Sequence, residues 1–229
     1  MKTLLESQVY WRLIALAQAV PEVEQGVLFD WISGALNGPL STGQMEKLTV
    51  EALKNGAPEA LSGFSEARWM VLLECLQGNL PVHLDPKPVV TDDTSALRVA
   101  FCSNDGLQVN GHFGNCHLFF IYQITDSKTQ LIDIRHFVEV EDQEDNETRA
   151  RLLQGCHLLF CEAIGGPAAA RIIRHGIHPV KIKKDNRIVT QLDALKTLMQ
   201  GQLPPWLAKV LGRKNDLSQR FSDELSELD

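Results

Sequence analysis

The sequence predicts an α/β domain built on a mixed five-stranded sheet, preceded by a small all-helical domain. Three observations carry this reading. Apolar residues recur at helical spacing through residues 1–80. The segment 81–97, PVHLDPKPVVTDDTSAL, then breaks the pattern with three prolines and a polar stretch. From residue 98 onward three strand-like runs follow one another, after which helix and strand patterns alternate.

In the helical part, Val9, Leu13, Leu16, Ala17 and Val20 share one helix face, and Thr3 with Glu6 forms a capping box. Pro21 suits the first turn of a second helix with Val27, Leu28, Trp31, Ile32 and Leu36 on its apolar face. Asn37-Gly38-Pro39 ends it. Ser41 and Gln44 cap a third helix that carries Met45, Leu48 and Leu53 and stops near Gly56. A last helix spans about 65–77 with Trp69, Leu72, Leu73 and Leu76 inward. Trp11, Trp31 and Trp69 read as core aromatics. Residues 81–97 read as a linker.

In the second part, strands are expected at 99–101, 118–124 and 131–137, with a turn at Asp126-Ser127-Lys128. An acidic stretch at 139–147 reads as a solvated loop leading into a helix through Arg151, Leu152 and Leu153. Strand 157–163, helix 168–175, strand 179–182 and helix 191–199 follow. The order β-β-β-α-β-α-β-α suits a ribonuclease H-like topology. Pro204-Pro205-Trp206-Leu207 starts a short final helix, and 213–229 reads as an acidic tail.

Composition narrows the function. The net charge is -7 and no Lys/Arg-rich stripe stands out, which argues against nucleic acid as partner because phosphate neutralisation dominates that affinity. No run of eighteen apolar residues exists and residues 1–6 lack a signal-peptide core, so no membrane association is expected. Five cysteines in a chain without a signal fit a reduced, cytoplasmic protein.

The chemistry concentrates in the loop Asp105-Gly106-Leu107-Gln108-Val109-Asn110-Gly111-His112-Phe113-Gly114. His112 is the leading candidate metal ligand, since a neutral imidazole suits iron, zinc and copper. A polar loop histidine bonded to a nearby carbonyl is the plain alternative. Cys102 and Cys116 flank the loop and offer thiolates, although their spacing matches no cluster motif and buried cysteines commonly act as small hydrophobes. Cys156 and Cys161 read as structural. Gly165-Gly166-Pro167 joins a strand end to a helix, where free amides can cradle an anion. It is expected on the same sheet edge as the end of the first strand. Two-metal nuclease chemistry needs converging carboxylates. Asp105, Asp133 and Glu162 are the only acids offered, and Cys102 stands where a catalytic acid would be useful, so an enzyme is not expected.

The ordered set Asp-Gly-x-x-Val-Asn-x-His-Phe-Gly, Phe119-Phe120-Ile121-Tyr122, Gly165 to Gly176-Ile177-His178-Pro179, and Pro204-Pro205-Trp206-Leu207 resembles the dinitrogenase iron–molybdenum-cofactor-binding domain of nitrogenase accessory proteins (NifX, NifY, NafY and the C-terminal part of NifB). The resemblance covers about residues 98–210. The helical part in front of it resembles the two-domain members NafY and NifY rather than NifX. The resemblance implies a ribonuclease H-like core without nuclease chemistry, residues 98–212, that binds the iron–molybdenum cofactor or its iron-only precursor as transient cargo. It implies a sterile-alpha-motif-like domain, residues 1–80, that docks on apo-dinitrogenase, the cofactor-free molybdenum–iron protein. The family's proposed ligand falls on His112. Asn110 and Gly114 belong to the same loop motif, and Gly165 and Gly166 supply backbone donors, with Arg171 a candidate counter-charge. Cys102 lies outside the family pattern and is carried as a candidate thiolate. A protein-binding stabiliser of apo-dinitrogenase with little cofactor binding is the alternative.

Overall fold

The computed structural model describes residues 7–87, 96–140, 142–201, 203 and 205–211. The cap expected from Thr3 and Glu6, the middle of the 81–97 segment and the 213–229 tail lie outside them. The chain divides into two compact units between Asp85 and Pro86.

The first unit holds α1 (Ser7–Ala19), α2 (Gln25–Ala35), α3 (Thr42–Met45), α4 (Val50–Lys54) and α5 (Glu66–Gln77). Pro21 is not in the first turn of α2. Val23 turns back so that its amide donates to the Val20 carbonyl at 3.0 Å, and both valines are buried. The helix therefore starts only after Glu24. The single helix expected at 41–56 is two. Ser41 caps the first and Thr49 caps the second, each accepting a backbone N–H three residues on. Trp31 and Trp69 meet edge to face at 6.2 Å in the core. Trp31 Nε1 donates to the Leu53 carbonyl at 2.8 Å. Trp11 is only half-buried and lies outside that core.

Arg12 locks this unit. It is buried, donates to the Leu76 carbonyl at the end of α5 (2.9 Å), and pairs with Glu46 (2.9 Å). Gly78, left-handed at φ 99°, ends α5, and a Cβ there would come within 2.9 Å of the Arg12 guanidinium. Arg12→Met keeps the aliphatic stem and removes both bonds. It is expected to cost about 2–3 kcal/mol, read as a lower urea midpoint for the helical unit. The front of the expected linker belongs to this unit. Leu84 is buried, and His83 Nε2 lies 2.7 Å from Gln18 Oε1.

The second unit holds β1 (Leu97–Cys102), β2 (Leu118–Ile124), β3 (Thr129–His136), α6 (Asp145–Leu152), β4 (Leu158–Cys161), α7 (Gly166–Arg174), β5 (His178–Lys181), α8 (Ile188–Gln200) and α9 (Pro205–Val210). The sheet order is β3-β2-β1-β4-β5. β3, β2 and β1 run antiparallel to their neighbours, and β1, β4 and β5 run parallel. The sheet is thus mixed and five-stranded. Ala100, Cys102, Phe119, Ile121, Leu159 and Cys161 pack on one face with Ala150 and Leu153 from the α6 side and Ala168 and Ile172 of α7. On the other face Phe101 stacks on Phe160 at 5.1 Å and meets Tyr122 edge-on at 5.7 Å, and α8 lies against β2. Cover on both faces explains why every residue of β2 is buried.

The acidic stretch is less of a loop than expected. Asp145 and Glu147 form the first turn of α6. Glu144 and Glu147 both pair with Arg171, and Glu147 also meets Arg151 at 3.0 Å and His175 at 3.1 Å. At the β5 edge, Trp206 of α9 lies over His178 with ring centres 5.7 Å apart, and Leu207 is fully buried. No helix among the described residues is long and apolar enough to cross a membrane.

Candidate functional site

Because β1, β4 and β5 are parallel, their carboxyl ends share one edge of the sheet, which is where open α/β sheets bind ligands. The loop after β1 is built there from short-range bonds. The Asp105 carboxylate accepts from the amides of Leu107 (2.8 Å) and Gln108 (2.9 Å) and from Asn110 Nδ2 (3.0 Å). Asn110 Oδ1 accepts from the Asn104 amide at 2.9 Å. Gly106 takes φ 74°, a turn that favours glycine. Val109 is fully buried and its amide donates to the Asn186 carbonyl at 2.7 Å.

The chain then returns to the lane of β1. The Gly111 amide donates to the Cys102 carbonyl (3.2 Å), Gly111 accepts from the Glu162 amide (3.0 Å), and the Phe113 amide donates to the Ala163 carbonyl (2.9 Å). His112 bridges Ala163 in parallel fashion. Alternation along this short strand sends Phe113 into the core beside Phe119 and leaves His112 outward. The His112 side chain is 57% exposed, and its Nε2 lies 3.5 Å from Glu162 Oε2. A carboxylate beside one ring nitrogen can orient an imidazole whose other nitrogen meets a metal.

Three residues after Glu162, Gly165 caps α7 without any side-chain hydrogen bond. A Cβ built on Gly165 or Gly166 would meet nothing within 4 Å, and neither glycine has a positive φ. Neither packing nor backbone conformation requires glycine at these positions. Their bare backbone leaves room at the N-terminus of α7, the positive end of the helix dipole, two residues beyond the Ala163 that bridges His112. These features fit an anionic, metal-bearing ligand.

Other expected site residues are placed elsewhere. Cys102 is fully buried in the core with its thiol hydrogen-bonded to Cys116, and burial pushes that thiol well above the usual range. It does not reach the surface where His112 stands. Cys156 precedes β4 rather than lying in it, so both it and Cys161 sit in the same core face, each pushed to about 11 by burial. Since the thiolate is the reactive form, Cys102, Cys156 and Cys161 are expected to resist iodoacetamide in the folded protein and react fully in denaturant, as mass spectrometry would read. Arg171 is held by Glu144 and Glu147 and is not a spare cation for the glycine turn. Asn110 spends its amide within the loop. Gly114 is on the exposed side of the loop with only Asn146 Oδ1 near a built Cβ, at 3.9 Å.

Arg149 was not legible as part of this region. Its guanidinium is buried, donates to the Cys116 carbonyl at 3.2 Å and lies 3.5 Å over the Phe137 ring, so it supports the base of the loop. Among the described residues, no group of three or more His, Cys, Asp or Glu side chains could hold a metal ion. Asp133 instead pairs with Arg135 at 2.9 Å.

Fold and site define the class as an α/β domain with the exposed imidazole of His112 at its carboxyl edge, and residues 95–198 match the family described as dinitrogenase iron–molybdenum cofactor. The chain is 44% identical over 205 residues to the NifY protein of Klebsiella pneumoniae, covering 89% of each. It is 29% identical to the NifY protein of Azotobacter vinelandii over 230 residues, 95% of each. It is 34% identical to the NifX protein of Sinorhizobium fredii over 151 residues, 59% of this chain and 94% of that one. The chain belongs to the NifX/NifY family of nitrogenase accessory proteins. Its role is thus in nitrogen fixation and concerns the iron–molybdenum cofactor.

Proposed function

We propose that this protein is a non-enzymatic, cytoplasmic assembly factor that carries the iron–molybdenum cofactor, or its iron-only precursor, and helps deliver it to apo-dinitrogenase. The observation that carries the proposal is the pairing of exposed His112 with the open glycine turn at 165–166, inside the segment matched to the cofactor family. A pre-made cluster needs few protein ligands, because its own sulfides complete most of the iron coordination. A catalytic zinc site would instead need about three protein ligands. One imidazole with backbone donors holds such cargo weakly enough for release. The sheet order supports a ribonuclease H-like lineage for residues 98–212, and five short helices support a sterile-alpha-motif-like docking domain in residues 1–80.

Titration of wild type and His112→Ala with isolated cofactor, without oxygen, tests this. Wild type is expected to retain the cofactor and the variant to lose most of it, with both melting alike. Equal binding would remove His112 from the role. A second reading, a stabiliser of apo-dinitrogenase with little cofactor binding, is favoured by exposed Phe29 and Val27 on α2 and Met70 and Val71 on α5. Absence of cofactor binding by wild type, with capture of apo-dinitrogenase retained, would select it.

A further inference from the structure

We propose that the turn at 182–187 is the cationic arm of the same site, with Lys183 and Lys184 drawing anionic cargo toward His112. This rests on the cargo reading above. Parallel β4 and β5 bring the turn to the carboxyl edge, where the Ile182 amide donates to the Cys161 carbonyl at 3.0 Å. The turn is also stitched to the loop that carries His112. Beyond the Val109–Asn186 bond, the Ile188 amide donates to the Leu107 carbonyl at 2.9 Å, and Asn186 Nδ2 donates to Gln108 Oε1 at 3.3 Å. Gln108 and Arg187 form an antiparallel bridge.

Within the turn, Asp185 is occupied. Left-handed at φ 44°, it accepts from Arg187 Nε at 3.1 Å and Thr190 Oγ1 at 3.3 Å. Arg187 is thereby neutralised locally. Lys183 and Lys184 are exposed, and neither has an ion-pair partner among the described residues. They place positive charge on one edge of a chain whose net charge is -7. Two strand spacings separate the lanes of β1 and β5, about 10 Å. That is well inside the Debye length at low ionic strength, about 30 Å at 0.01 M, so at low salt these ammonium groups act on cargo at His112 without needing contact. A charged edge of this kind raises the local concentration of an oppositely charged ligand and its rate of association.

The test uses the full chain, isolated iron–molybdenum cofactor and oxygen-free buffer at low and high salt. Lys183→Glu/Lys184→Glu is compared with wild type and with the charge-matched control Lys47→Glu/Lys128→Glu. Lys128 lies in the β2–β3 turn at the opposite edge of the sheet, and Lys47 lies in the helical unit. The 183/184 variant is expected to associate about tenfold more slowly at low salt and to approach wild type at about 0.5 M salt. The control is expected to follow wild type, and all three to melt alike. Equal rates for the two variants, or a deficit that persists at high salt, would overturn the arm while leaving the cargo reading in place. Failure of wild type to bind cofactor would overturn both.

Discussion

Phe113→Ala is expected to destabilise the α/β unit by about 3–5 kcal/mol, whereas His112→Ala, one residue away, is expected to change stability by less than about 1 kcal/mol. Phe113 is fully buried against Phe119 and anchors the returning strand whose amide bonds Ala163. Truncation leaves a cavity under the loop that the sheet cannot close. His112 faces solvent, and its contact with Glu162 is between two side chains that are each more than half exposed. For a unit of this size the Phe113 change corresponds to a melting point lower by about 10 °C or more. Thermal denaturation of both variants reads the difference. Similar losses in the two would mean that the strand does not alternate as described. The contrast separates the job of the buried residue of the His-Phe-Gly motif, which holds the fold, from the cargo role proposed for the exposed one.

Gly111→Ala is expected to be the most disruptive single-methyl change in the loop. Its Cβ would lie 2.8 Å from Cys116 Sγ, 2.9 Å from Cys102 Cβ and 3.0 Å from the Cys102 carbonyl carbon. Two of these contacts involve the main chain or the first atom of a buried side chain, so relief requires moving β1 or the loop. Overpacking of this kind costs about 1–3 kcal/mol. Any displacement also carries His112 away from Glu162 and the glycine turn, so cofactor retention should fall with stability. Gly114→Ala, with its nearest neighbour at 3.9 Å, should melt like wild type. Gly165→Ala should also melt like wild type but retain less cofactor, because its methyl occupies only the open approach to α7. If Gly111→Ala left both melting and retention intact, the close approach of loop and β1 would be wrong.

Much of the architecture was legible because the periodicities are strong. The run at 118–124 is continuously apolar and became β2 at the same bounds, since a strand covered on both faces has no polar side to blur its ends. Ser65 and the apolar face of α5 were equally clear. The start of α2 was not. Pro21 is compatible with a helix, but burial of Val23 in the core of the unit favours a turn, and only tertiary packing makes that choice. Thr49 was missed as a cap because Met45, Leu48 and Leu53 keep helical spacing across the break.

The sequence by itself determined the two kinds of unit, the family, and the loop on which His112 stands, because alternation, caps and ordered motifs are local properties of the chain. Which flanking groups are exposed and which are buried or already paired was decided only by the tertiary structure. Cys102 and His112 are near in sequence, yet one is sealed in the core and the other is exposed. Arg171 is claimed by two glutamates from α6 and its cap, and the turn that carries Lys183 and Lys184 comes to the carboxyl edge only because β5 lies parallel to β4. Side-chain direction and charge pairing across elements depend on strand order and register, which no short stretch of sequence encodes.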